Sequence, residues 1–373
     1  MTTAFSVAEE TVQPLRLAVL PGDGIGPEIS AATIKVLEVV NDHLCPSLQF
    51  DVHEIGLARL AKEGTTLPMA VFEAVKRADG IITGPVSHSD YPDRSAGGIN
   101  VSSELRKTLD LYANIRPSRT RPGLPHWGRT TMDLVIVREN TEGFYADRNM
   151  HWGVGEFMPT PDMALSIRKV TAEASRRIAR TAFELAKDRR RKVTAVHKVN
   201  VLKVSEALFL REVRNVAAEF PEVKYEEQLI DSMSALLVRD ASRFDVVVTT
   251  NMFGDIISDE AAELAGSLGL AGSLNAGDSH CMAQAQHGSA PDIAGTDRAN
   301  PTALILSAAM LLDWLARRKQ AESYHRAATL ICEAVDITLS DPACRTTDLG
   351  GPLGTRDFTT VLAERLRSLL ARP

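Results

Sequence analysis

The sequence predicts an α/β fold whose sheet is covered by helices on both faces. Three observations lead there. Short apolar runs of strand length recur along the chain, and longer helical segments separate them. The runs are apolar at consecutive positions, as in FDVVVTT (244–250), the pattern of strands buried on both faces. At 373 residues and 44% hydrophobic content, the chain can bury a large core in more than one domain.

Each element follows in order. LRLAVLPGDGIGPEISAATIKVLEVV (15–40) reads as strand, glycine-rich turn and helix, with Pro27 just ahead of the helix. VFEAVKRADGIITGPV (71–86) is helix then strand, and MDLVIVREN (132–140) is a strand. TAEASRRIARTAFELAKDRRRKVTAVHKVN (171–200) gives a long helix, a basic turn and a strand. FDVVVTTNMFGDIISDEAAELAGS (244–267) gives a strand that feeds a helix. NPTALILSAAMLLDWLARR (300–318) is apolar almost all round, short, and flanked by polar residues, which fits a core helix. RTRPGLPHWGRT (119–130) is a loop; RNMHWGVGEFMPTPDM (148–163) has weak pattern and reads as an arm or a lid. Neither internal repeats nor low-complexity tracts occur.

Composition narrows the function classes. The net charge of −6 supplies no basic field for nucleic acid or anionic lipid, and no apolar run is long enough for a membrane span. The opening MTTAFSVAEETVQP carries two glutamates and no cation before Arg16, unlike a secretory signal or transit peptide. Cys45, Cys281, Cys332 and Cys344 are scattered without CxxC spacing, as expected for free thiols in a reducing cytoplasm.

Several groups of residues could carry chemistry. Asp255 and Asp259, at i and i+4 of a helix, share one face. Two like charges there call for compensation, by a divalent cation such as Mg²⁺ or Mn²⁺ or by solvent around a helix start. Arg138 and Tyr145 in VRENTEGFY lie at the carboxyl end of a strand, where ligands of α/β sheets collect. Arg offers a fork for a carboxylate and Tyr a proton; the bland reading is a surface loop. Lys198 in AVHKVN ends another strand, as a tuned base or a solvated terminus. Arg106 and Arg116 in LRKTLDLYANIRP would clamp an anion if they meet at one site. GDGIGPE (22–28) departs from G-x-G-x-x-G, so it is as readily a tight turn as a ligand loop. QHGSAPDIAG (286–295) is a polar Gly/Pro loop that could hold a nucleotide against backbone groups.

Taken together and in order, these segments resemble the β-decarboxylating dehydrogenases, which include isocitrate, 3-isopropylmalate, homoisocitrate and tartrate/D-malate dehydrogenases. LPGDGIGPEI, LRKTLDLYANIRP, VRENTEGFYA, VHKVNVLK, IDSMSALLV, NMFGDIISDEAAELAGSLG, HGSAPDIAG and NPTALILS carry the resemblance from about Leu17 onward. It implies a two-domain, non-Rossmann α/β fold with an interdomain cleft. The large, cofactor-binding domain would comprise residues 1–112 and 267–373. The small, substrate and dimerisation domain would comprise 113–266, with an intersubunit arm at about 148–163. It also implies a homodimer with shared active sites. Arg106, Arg116 and Arg138 would bind the carboxylates of a small 2-hydroxy acid. Asp231, Asp255 and Asp259 would hold Mg²⁺ or Mn²⁺, with Lys198 and Asp231 supplied by the partner subunit. Lys198 would be the base on the C2 hydroxyl and Tyr145 the acid at C3. His287, Gly288, Ser289, Ala290, Asp292, Ile293 and Asn300 would bind the dinucleotide. Asp292-Ile293 stands where NAD-dependent members carry the same pair, and its carboxylate would repel a 2′-phosphate, so NAD is expected over NADP.

Two departures bear on substrate and cofactor. AQAQH (283–287) replaces the F-E-A-V-H of most relatives, so Gln284 stands in place of a family glutamate near the nicotinamide. The connection from GPVSHSD to GGIN is also longer. The residues before Arg106 read the C3 substituent. Asn100 and Ser102, followed by Ser103, are polar, which favours an isocitrate-like acid over 3-isopropylmalate, homoisocitrate or tartrate/D-malate. Two readings of another class stand beside this one: a non-catalytic regulatory subunit of a hetero-oligomer, and a plain Rossmann hydroxyacid dehydrogenase without metal.

Overall fold

The computed structural model describes residues 14–44 and 47–371. The N-terminal lead (1–13) and Cys45 lie outside the described residues. Twelve strands form among the described residues: β1 (Leu15–Leu20), β2 (Leu48–Val52), β3 (Gly80–Thr83), β4 (Ala113–Arg119), β5 (Asp133–Glu139), β6 (Glu156–Thr160), β7 (Met163–Ser166), β8 (Lys192–His197), β9 (Lys224–Leu229), β10 (Val246–Thr249), β11 (Leu274–Ala276) and β12 (Cys281–Gln284).

Ten of them build one sheet in the order β2-β1-β3-β12-β11-β4-β5-β10-β8-β9. The two ends are parallel blocks, as strand–helix alternation requires. The middle is antiparallel: β11 runs against both β12 and β4, and β4 runs against β5. This antiparallel seam distinguishes the sheet from an all-parallel dinucleotide-binding one.

Side-chain alternation divides the core by face and by end. In β1, Leu15, Leu17 and Val19 join a cluster with the helices Gly26–His43, Thr302–Lys319, Glu322–Ser340 and Thr355–Leu370, while Ala18 and Leu20 pack with Leu105 and Met282 on the other face. In β5, Val135 and Val137 face the Ala172–Lys187 helix, and Leu134 and Ile136 face the helices Ile230–Asp240 and Asn251–Ala265. Both faces are thus covered, as the consecutive apolar runs predict.

The remaining strands, β6 and β7, pair only with each other, and every residue in both is exposed. The expected arm is therefore a β-hairpin, and it ends at Ser166, beyond the boundary read from the sequence. The first helix begins at Gly26, so Pro27 sits inside its first turn rather than ahead of it, where a missing N–H costs nothing. Thr302–Lys319 is buried along most of its length, as a core helix should be, and no described helix is long and apolar enough to cross a membrane. Cys281, Cys332 and Cys344 are free.

Because β5, β10 and β8 are parallel, their carboxyl ends share one edge. Arg138 and Tyr145 follow from β5, Asn251 and its helix from β10, and Lys198 from β8.

Candidate active site

Arg138 is the penultimate residue of β5 and is only 2% exposed, which is expensive for a cation unless its donors are met. They are met by one helix and one tyrosine. Nε and Nη2 donate to Asn251 Oδ1 at 3.1 and 2.7 Å, Nη1 pairs with Asp255, and Nη2 also donates to the Tyr145 hydroxyl at 3.2 Å. The Tyr145 hydroxyl in turn donates to Asp255 Oδ2 at 2.9 Å. The helix Asn251–Ala265 comes this close because residue 254 is glycine: a Cβ there would stand 2.7 Å from both Cβ and Cγ of Arg138.

Arg116 on β4 reaches the same helix one turn further on. Its Nη1 lies 3.2 Å from Asp255 and 3.3 Å from Asp259, and donates to Ser258 Oγ at 2.8 Å. The paired aspartates therefore do share a face, and that face meets arginine. Asp259 also accepts from Gln286 at 2.6 Å. Arg106, from the helix Val101–Thr108, donates to Gln284 Oε1 at 2.9 Å, and Gln284 Nε2 donates to Ser102 Oγ at 2.7 Å. Gln284 thus ties an arginine to a serine. Asn100 caps its own helix, its Oδ1 accepting from Ser103 N at 3.0 Å.

The charges act on one another. Burial, then Arg138, push Arg116 down to about 10. Burial and the neighbouring Arg148, Arg138 and Arg116 hold Arg106 well below its ordinary value. Burial alone would raise the Asp255 carboxyl, but Arg138 and Arg116 outweigh it and hold it low. Burial, with Asp255 beside it, raises the Tyr145 hydroxyl, so it stays protonated.

Lys198 and Asp231 stand apart from this cluster. β8 lies two strands from β5, roughly 10 Å away, and the Lys198 ammonium turns toward the element after β9. It pairs with Asp231 at 2.6 Å, and the Asp231 side chain is 61% exposed. That lysine holds the Asp231 carboxyl below its ordinary value. Among the described residues, no three acidic, histidine or cysteine side chains converge as a complete cation site.

The expected dinucleotide segment forms one loop between β12 and the helix Thr302–Lys319. It packs on the GDGIGPE turn: Ser289 O accepts from Ile25 N at 2.8 Å, and a Cβ on Gly24 (φ +57°) would meet that carbonyl at 2.0 Å. The GDGIGPE motif is therefore a tight turn that supports the loop. Its Asp23 is buried and accepts from Leu57 N, Ser87 N and the Tyr91 hydroxyl. Ser289 Oγ bonds Ser87 Oγ at 2.8 Å, and Ala290 adopts a positive φ of 37°. Gly288 and Asp292 are exposed, with Ile293 half-buried beside them. His287 Nε2 is buried without a partner, and burial lowers its pKa. Asn300 Nδ2 donates to Asp348 at 2.9 Å.

Asn251 and Arg148 are not among the site residues that the sequence predicts. Asn251 lies one turn ahead of Asp255 on the same helix, so its i, i+4 spacing was a usable signal. Arg148 sits in a patternless loop and gave none.

Comparison with known proteins settles the family. A sequence model described as isocitrate/isopropylmalate dehydrogenase matches residues 16–362. The isocitrate/homoisocitrate dehydrogenase of Thermus thermophilus is 40% identical over 95% of this chain and 99% of its own. The chain belongs to the isocitrate/isopropylmalate dehydrogenase family. The 3-isopropylmalate dehydrogenase of Methanothermobacter thermautotrophicus is 38% identical over 95% of this chain and 99% of that one. The crystal structure of isocitrate dehydrogenase from Methylococcus capsulatus superposes with a TM-score of 0.84 at 38% identity, covering 95% and 99% of the two chains.

Membership in this dehydrogenase family implies a nucleotide cofactor and a divalent metal, and the residues present fit both. Asp255 and Asp259 offer hard oxygen donors from one helix face, two of the ligands a small divalent cation needs. The loop carries an exposed carboxylate at Asp292, a buried unspent nitrogen at His287, and a bare backbone at Gly288, where a Cβ would meet nothing within 4 Å.

Proposed function

We propose that this protein carries out the NAD- and divalent-metal-dependent oxidative decarboxylation of a 3-substituted (2R)-malate, with an isocitrate-like acid as the favoured substrate. The observation that carries the reading is the convergence of Arg106, Arg116 and Arg138 on a wall that also holds Tyr145 and the carboxylates of Asp255 and Asp259. Such a wall binds a polyanion and orients it beside a proton donor.

When bound, a cation supplies an electrophile for the C2 oxygen and NAD an acceptor for the C2 hydride. The chain's own residues do the rest. The arginines grip the carboxylates and offset their charge. Tyr145, kept protonated, holds a proton for C3 of the enolate left when CO₂ departs. Lys198 takes the proton of the C2 hydroxyl. Because Asp231 is exposed and Lys198 pairs with it apart from the arginine wall, we place them in the site of a second copy, so that a homodimer completes two shared sites. The exposed β6–β7 hairpin supports that assembly by offering two unpaired strand edges. The core clusters support a division near 112/113 and 266/267, which falls between β4 and β11. Asp292, exposed and free of a cation partner among the described residues, favours ribose hydroxyls over a 2′-phosphate. The free thiols fit a reducing cytoplasm.

The test is NADH formation with Mn²⁺ across D-isocitrate, 3-isopropylmalate, homoisocitrate, D-malate and tartrate, with NADP in parallel. The expected result is a preference for isocitrate with NAD, with CO₂ released. Full activity in excess chelator without CO₂ would overturn the reaction class, and preference for 3-isopropylmalate would overturn the substrate.

A further inference from the structure

Arg148 lies in the turn Ala146–Asn149, directly after Tyr145, and its side chain is only 5% exposed. Its guanidinium stacks on the Tyr145 ring, 4.8 Å from the centroid. Stacking uses the face of the fork and leaves its edges. Nε and Nη1 are buried and have no acceptor. The neighbouring Asp147 does not serve, because it lies 3.9 Å from Nε and its carboxylate accepts from Ser103 Oγ.

Arg106 is in the same condition on the facing element. Its Nε is also buried without an acceptor. The Ser103–Asp147 contact fastens the Arg106 helix to the Arg148 turn, which brings the two guanidinium groups to one space. Their mutual repulsion registers on Arg106, where Arg148 is the strongest of the depressing charges after burial. Burial depresses Arg148 as well, Asp147 opposes that, and Arg138 adds to it. Two desolvated cations with unspent donors are costly for a protein to keep apart from an anion. Gln284 links Arg106 to Ser102 beside that space.

We propose that Arg148 is a specificity-determining residue that receives a carboxylate carried on the C3 substituent, so that the site selects tricarboxylates over dicarboxylates. The assignment rests on the proposed function, and it places a fourth guanidinium in the substrate pocket. The donors for a third carboxylate are those that Arg148 and Arg106 leave without an acceptor.

The experiment is calorimetric titration of D-isocitrate and D-malate into the full-length protein with Mn²⁺ and no dinucleotide, so that no chemistry occurs. In Arg148→Met, isocitrate affinity should fall about 10- to 100-fold, the value of a lost charged hydrogen-bond pair. Malate affinity should fall at least about tenfold less than that. Arg148→Lys, which keeps the charge but not the fork, should recover part of the loss and guards against a folding defect. Equal losses for both acids would assign Arg148 to packing Tyr145 and overturn the proposal, as would no loss or a wild type that binds neither acid. NADH formation from these acids without discrimination by Arg148 would sink this assignment alone. Arg148-dependent isocitrate binding without NADH formation would sink the dehydrogenase reading and leave the anion site.

Discussion

The two parts of the candidate site differ in how complete they are within one chain. The Arg138 part of the arginine wall is closed on itself: Arg138 is almost wholly buried, and Asn251, Asp255 and Tyr145 meet its donors. The Lys198–Asp231 pair is an exposed ion pair of the kind worth little to stability. Under the proposed function the pair is half of an interface, and the contrast separates what one chain builds for an anion from what a second chain would add for the reaction.

The largest effect would break that contrast outright. Lys198→Met and Asp255→Asn should each lose at least about a hundredfold in turnover, as expected for a proton-transfer group and for a cation ligand. Mixing the two inactive variants under subunit exchange should restore about a quarter of wild-type activity, because half of the dimers then hold one intact shared site. No restoration would mean that Lys198 acts within its own chain. A smaller effect sharpens the arginine side. The Asp255 carboxyl is held low by Arg138 and Arg116 against its burial. A depressed carboxylate stabilises the fold above its ordinary value near 4 and loses that stabilisation as pH falls through the folded value. Urea midpoints followed below about pH 4 in chelator should therefore decline more steeply in wild type than in Asp255→Asn; equal slopes would mean the arginines do not hold this group. The smallest effect concerns the support of Arg106. Asn100→Ala removes an N-cap and should cost about 1 kcal/mol in urea unfolding. An unchanged midpoint would release Asn100 from that role.

Much of this was legible in the sequence, for one physical reason: spacing fixes what shares an element. The i, i+4 pair at Asp255 and Asp259, the strand end at Arg138 and Tyr145, and the strand end at Lys198 needed only helical and strand periods. What spacing cannot give is which cations lose their water. Arg148 sits in a loop with no period, and its burial depends on the stacked Tyr145 ring and on the Ser103–Asp147 contact. Asp23 lies in a motif that could equally be a ligand loop, yet its carboxylate accepts three hydrogen bonds from two segments remote in sequence. The arm gave no pattern because neither of its strands buries a face within one chain.

Gly254 has a mechanical consequence. With no room for even one carbon between helix and strand, Asn251, Asp255 and Asp259 ride on a single rod seated directly against Arg138. Any movement of that rod shifts the partners of Arg138 and both carboxylates by the same stroke. In the proposed site the anion grip and the cation ligands would therefore be geared together, so that neither could be retuned by sliding this helix without retuning the other.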